Sequence, residues 1–238
     1  MMRKLLFLLA FAFAAMLQAA DFVTESRWIT ASEGDVNAQN TWIAFRKDIT
    51  LGSIPMKVEA SIAAASKYWL WINGEMVVFE GQLKRGPTPK DTYYDKVDIT
   101  PFLKKGNNEV AVLLWYFGKS GFSHNSSGKS GLLFSAQAIG LYSDSQWMSC
   151  IHPAYGTCGD PKPNGRLSES SIKYDGNKDL GEWQTGDIQS GFTASKEIGK
   201  AGSAPWNALV ERPTPLWKDF GPKKGKYTTK RGTEEDTL

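Results

Sequence analysis

From Lys67 to Gly74 the chain reads Lys-Tyr-Trp-Leu-Trp-Ile-Asn-Gly, and no other stretch limits the fold so tightly. Side chains alternate across a strand, so Tyr68, Leu70 and Ile72 share one face while Trp69 and Trp71 take the other. Both faces are apolar, as in a strand covered on both sides. Asn73-Gly74 then reverses the chain, because both residues tolerate the positive φ of a two-residue hairpin turn.

The same short alternation recurs along the chain. Strands are expected at Trp42–Asp48, Met56–Ala64, Lys67–Asn73, Glu75–Glu80, Tyr93–Val97, Glu109–Tyr116, Leu132–Leu141 and Gln146–Ser149. One helical turn is marked by Thr100 as cap, Pro101 at the first position and Gly106 at the end. There is no long amphipathic helix, internal repeat or low-complexity tract. The chain is therefore all-β: a sandwich with a short helical turn and a long irregular insertion. The insertion is expected over residues 159–204, which are rich in Gly, Ser, Pro, Asp and Lys, with short ordered pieces at Ile172–Tyr174 and Leu180–Trp183. Pro205-Trp206 and Pro213-Thr214-Pro215 read as an exit linker. The expected division is thus a leader over 1–20, a sandwich over 21–205, and over 206–238 a linker with the start of a further, truncated β domain.

The leader is read from Arg3 and Lys4, an uncharged run from Leu5 to Leu17, and the small-residue exit Gln18-Ala19-Ala20 before Asp21. This is the layout of a cleaved secretory signal, and the run is short for a membrane span, the alternative reading. It implies a periplasmic or secreted protein, with no membrane attachment after cleavage. The whole chain carries 28 basic and 25 acidic residues; without the leader's two basic residues the balance is 26 − 25 = +1. A charge so near zero speaks against nucleic acid or an anionic membrane as partner. Cys150 and Cys158 lie eight positions apart among Pro153, Gly156 and Gly159, and in an oxidising compartment they are expected to close a small disulfide loop. Two free thiols, or a metal site with His152, are the other readings; one nearby His and no second Cys/His pair make metal the weaker.

Three blocks in order carry a family resemblance. They are Tyr68-Trp69-Leu70-Trp71-Ile72-Asn73-Gly74-Glu75, then Tyr94-Asp95-Lys96-Val97-Asp98-Ile99-Thr100, then Leu103-Lys104-Lys105-Gly106-Asn107-Asn108-Glu109-Val110-Ala111-Val112. Together they resemble the galactose-binding-like jelly roll that accompanies the catalytic domains of many glycoside hydrolases. Five further segments narrow this. Trp42-Ile43-Ala44-Phe45-Arg46-Lys47, Trp115-Tyr116-Phe117-Gly118, Ser143-Asp144-Ser145-Gln146-Trp147, Tyr174-Asp175 with Trp183, and Arg212-Pro213-Thr214-Pro215 resemble the N-terminal β region of the α-L-rhamnosidase family. The resemblance spans roughly residues 25–220. It implies a jelly-roll fold beside a catalytic helical barrel, in cis or from a neighbouring gene, and a rhamnose-containing glycan as partner. It also admits calcium at the sugar-binding rim. That barrel and its acidic residues have no counterpart here.

No catalytic residues are assigned. Glycoside hydrolysis needs two carboxyl groups across the scissile bond, and Glu75, Asp91, Asp95, Asp98 and Glu109 each have a simpler turn or strand role. Only His124 and His152 could serve as imidazole bases, and neither has a nucleophile elbow beside it. A neutral sugar offers C–H faces and neighbouring hydroxyls, so aromatic rings and amides suit it. The candidate sugar-binding residues are Tyr93, Tyr94, Trp115, Tyr116, His124 and Asn125; packing is the alternative role for Trp115 and Tyr94. Of the aromatic pair in Glu109–Tyr116, Trp115 is expected to be structural and Tyr116 the more exposed. The expected function is a non-catalytic accessory domain of an exported rhamnosidase-like hydrolase. The alternatives are a free-standing carbohydrate-binding module and, less favoured, a small intact glycosidase.

Overall fold

The structure, a computed structural model, describes residues 22, 24–82, 85–122, 124–159, 168–187, 191–218, 220–222 and 224–225. The expected leader over 1–20 and residues 226–238 lie outside them. Fifteen strands occur among the described residues. They are β1 (Arg27–Thr30), β2 (Thr41–Leu51), β3 (Glu59–Ala64), β4 (Lys67–Ile72), β5 (Glu75–Gln82), β6 (Thr92–Asp98), β7 (Gly106–Tyr116) and β8 (Leu132–Ala136), followed by β9 (Leu141–Tyr142), β10 (Met148–Ile151), β11 (Tyr155–Thr157), β12 (Ile172–Tyr174), β13 (Thr193–Ala194), β14 (Lys196–Lys200) and β15 (Leu209–Glu211).

Two sheets form a jelly-roll sandwich. One runs β14-β1-β8-β3-β6-β15 with β9 beside β8, and the other runs β13-β10-β2-β7-β4-β5. Pairing is antiparallel except where β15 lies parallel to β6. The core between the sheets comes from the expected inward positions: Tyr68, Leu70 and Ile72 of β4, Val110, Val112 and Leu114 of β7, and Ile62, Leu132 and Phe134 opposite. Burying this apolar surface, at about 25 cal/mol per Å², is the main force holding the sheets together.

The tryptophans of β4 face the other way, onto a second apolar cluster outside the β2/β7/β4 sheet. There Trp42, Leu113 and Trp115 pack with Trp69 and Trp71 beneath Trp183, Phe192, Leu180 and Tyr155. Tyr155, between the cysteines, and Leu180, Trp183 and Phe192 of the expected insertion supply this cover. β11 pairs with β12, while β13 and β14 extend one edge of each sheet. The outer face of the other sheet is covered too, by Phe22, Trp206 and Leu209 over Trp28, Ala63, Tyr94 and Leu133. Trp206 stacks on Trp28 at 4.2 Å between ring centres. The segment read from sequence as an exit linker thus gives Trp206 to this layer and β15 to the sheet.

Several boundaries move for local reasons. The expected strand 132–141 breaks at Gln137–Ile139, a 3₁₀ turn closed by Gly140 at φ +62°. β3 starts at Glu59 rather than Met56, whose side chain is in solvent. The helical turn covers Thr100–Phe102 and ends at Leu103. Thr100 is its first residue and Ile99 takes the cap position, while the Asp98 carboxylate accepts from the Thr100 N–H at 3.0 Å and hydroxyl at 2.6 Å. Gly106, at φ +94°, opens β7 instead of ending the turn.

Candidate functional site

The six expected sugar-contact residues do not share a surface. Trp115 is 3% exposed, stacked on Trp42 at 4.3 Å and edge-on to Phe117, with its Nε1–H donating to Asn40 Oδ1 at 3.3 Å. Lys67 Nζ lies 5.4 Å from the centre of the same ring. Tyr116 is 1% exposed and is the more buried of the pair, which reverses the expectation. It continues the inward face of β7, and its hydroxyl finds Ser126 Oγ at 3.3 Å, the partner a buried phenol needs. Burial raises its pKa. Tyr94 is buried on the outer layer, edge-on to Phe22. His124 is buried against Phe117, with Nε2 3.4 Å from Ser66 Oγ. Only Tyr93 and Asn125 remain at the surface, half-buried and exposed respectively. The reason is the one visible in the alternation: both faces of β7 are covered, so neither aromatic there is left over.

The fold brings a different set together at one end of the sandwich. Gln82, Tyr93, Arg212, Pro213, Thr214, Pro215 and Trp217 line an open cleft of ≈ 420 Å³. Its floor is a buried polar network centred on Asp95. That carboxylate accepts from the Tyr68 hydroxyl at 2.8 Å, the Gln82 N–H at 3.1 Å and Arg212 Nε. Asp95 and Arg212 side chains are 3% and 7% exposed, so each charge depends on the other for compensation. Burial, then the Asp95 charge, pushes the Tyr68 phenol well above its usual range. Gln82 sits at φ +65° at the end of β5, paired with Lys67 of β4, and its side-chain Oε1 accepts from the Ala64 N–H at 2.6 Å.

Beside the cleft, Arg85 ties three segments together. Its guanidinium donates to Pro89 O, Lys90 O, Ser126 O and Pro205 O. Desolvation lowers its pKa. Neither Arg85 nor Arg212 stands among the expected site residues. Arg212-Pro213 stands in a stretch that reads as linker, and nothing local shows that its side chain returns between the sheets to Asp95.

The structure does not pair the two cysteines that were expected to form a disulfide. Cys150 and Cys158 are free thiols. Cys150 is held within β10 opposite Ala44 of β2 and packs on the outer aromatic cluster. β11 then diverges to pair with β12, which leaves Cys158 exposed, its Sγ 3.6 Å from Ser171 O. Burial pushes the Cys150 thiol up to about 12. His152 is buried edge-on to Tyr155 and Trp183; desolvation lowers its pKa to about 4, opposed by Asp179. Among the described residues no group of three or more His, Cys, Asp or Glu is arranged to hold a metal ion. Asp91, in the turn before β6, accepts from the Thr88 hydroxyl at 2.6 Å. No helix among the described residues is long and apolar enough to cross a membrane.

The chain is thus an all-β sandwich with one apolar layer between its sheets, one on each outer face, and a cleft at one end. No protein-family model matches the chain, and no curated relative does. Solved structures do. The chain is similar to a GH78 family rhamnosidase of Bacillus sp. GL1, with 27% identity and a TM-score of 0.69, over 80% of this chain and 20% of that one. It is also similar to the α-L-rhamnosidase of Aspergillus terreus, with 20% identity and a TM-score of 0.59, over 78% of this chain and 22% of that one. The chain thus matches a β-sandwich portion of the α-L-rhamnosidases, and spans about a fifth of their length.

Proposed function

We propose that this protein is a non-catalytic accessory β-sandwich of an exported α-L-rhamnosidase-like glycoside hydrolase, a platform that holds glycan near the enzyme. The observation that carries this reading is the match to the Bacillus enzyme, which covers 80% of this chain and 20% of that one. The remaining four-fifths of such an enzyme is room enough for the catalytic machinery. The carboxylates of this chain support the same view. Asp95 is locked between Tyr68 and Arg212, and Asp98 is held by Thr100 at a turn. Neither is free to protonate a leaving group or activate water.

Two measurements test the proposal. Purified protein, free of host glycosidases, is expected to release no chromophore from an aryl α-L-rhamnoside beyond a heat-killed control; real turnover would refute it. A glycan array carrying rhamnose-containing oligosaccharides is expected to show binding. Export is checked by sequencing the N-terminus of protein from the periplasm or medium, which is expected to begin at Asp21.

A further inference from the structure

The cleft at the end of the sandwich has the chemistry of a ligand site, and its electrostatics narrow the ligand. Two aromatic rings flank it. Trp217 is 62% exposed although it is a large apolar ring, and Tyr93, half-buried, lines the same cleft. Pro213 and Pro215 stiffen the wall that carries Trp217, because proline fixes φ and leaves few conformations to lose on binding. The volume, ≈ 420 Å³, suits one or two pyranose rings.

The polar floor is more specific. Arg212 lines the cleft with a side chain more than nine-tenths buried, and among the described residues its buried Nη2 has no hydrogen-bond partner. A buried guanidinium nitrogen without an acceptor is a costly arrangement, which an oxygen or a water reaching it from the cleft would relieve. The positive charge, however, is already matched by Asp95 through Nε. What remains for a ligand is a donor N–H without net charge behind it. A carboxylate placed there would face Asp95 across the same guanidinium, whereas a hydroxyl would gain the bond without that repulsion. Tyr93 and Thr214 add hydroxyls at the rim of the same cleft.

From this geometry we infer that the cleft formed by Tyr93, Arg212, Thr214 and Trp217 is a binding subsite for an uncharged sugar ring. The ring stacks a C–H face on Trp217, places a hydroxyl toward Arg212, and is selected against uronic acids. This rests on the accessory, glycan-holding reading above, and relocates sugar contact from Trp115 and Tyr116 to residues 212–217.

The test is titration of the full chain with methyl α-L-rhamnopyranoside, methyl α-D-galactopyranoside and methyl α-D-galacturonate, followed by ligand-observed NMR. At least one neutral glycoside is expected to bind saturably, and at least tenfold more tightly than the galacturonate. Trp217→Ala is expected to weaken that binding at least tenfold with an unchanged melting temperature, since the ring is exposed. Tyr93→Ala serves as the second cleft variant. Phe122→Ala, which removes an exposed ring from a different loop, is expected to leave binding unchanged. Binding that survives both cleft substitutions overturns the location while leaving the glycan-holding reading intact. Tighter binding of the galacturonate overturns the ligand class. Absence of binding by all three glycosides overturns the inference, and if the array is blank as well, the glycan-holding reading falls with it.

Discussion

Trp115 and Tyr116 are adjacent in sequence, yet they belong to different layers. Trp115 stacks on Trp42 outside the sheet, and Tyr116 extends the core between the sheets. Emptying either site leaves a cavity, so Trp115→Ala and Tyr116→Ala are each expected to cost ~3–5 kcal/mol in chemical denaturation. Tyr116→Phe is expected to lose only ~1 kcal/mol, for the bond to Ser126. If either Ala variant melts like the parent, that ring is not packed as described. The thiols separate just as cleanly. With its pKa near 12, Cys150 stays protonated at pH 8, and it lies in a paired strand, whereas Cys158 is exposed. Native, unreduced protein is therefore expected to take up one iodoacetamide quickly at Cys158 and a second only on denaturation. A mass two hydrogens lighter than the reduced chain, with no alkylation, would instead reveal the disulfide.

At the scale of elements, the three motifs that signalled the fold in sequence meet in space. Asn73 of the hairpin donates Nδ2 to Phe102 O at 2.8 Å and to Asn108 Oδ1 at 3.0 Å, and its own Oδ1 accepts from the Glu109 N–H. Asn108 is fully buried, and it also bonds both backbone groups of Lys104 and the carbonyl of Gly106. The Asn-Gly turn, the Asp-Ile-Thr turn and the Gly-Asn-Asn strand start thus brace one corner of the sandwich. Asn108→Ala strands several of these groups at once and is expected to destabilise by at least ~3 kcal/mol. The same change at Asn107, which is exposed and bonds only Thr50, is expected to cost under ~1 kcal/mol. Equal losses at the two positions would contradict the corner's role.

Across the whole molecule, closure depends on residues far along the chain. Trp206 stacks on Trp28, β15 pairs with β6, and Arg212 reaches Asp95. Ending the chain at Pro205 removes all three and leaves Asp95 buried without its counter-charge, a loss of several kcal/mol. The melting temperature is expected to fall by roughly 10 °C or more relative to a chain ending at residue 222, at about 2–4 °C per kcal/mol. Equal melting temperatures would mean that residues 206–212 are dispensable for the sandwich.

Alternation, turn residues and the order of three short motifs were enough to read the all-β class, the hairpin at Asn73-Gly74 and the doubly covered β4 and β7. These are local properties: period-two hydrophobicity sets which side chains share a face, and positive φ sets where the chain can turn. The rhamnosidase-like sandwich could be read from the same blocks. Which aromatics were spent on packing could not, because Trp, Tyr and Phe fill a core as well as they stack on a sugar, and their fate depends on what covers the sheet. Tertiary structure decided that by folding parts of the Gly- and Ser-rich insertion over Trp42, Trp69 and Trp115, and by bringing Arg212 back to Asp95 over 117 positions of chain. A long-range ion pair of this kind leaves no periodic trace in sequence, which is why the cleft it floors became visible only in three dimensions.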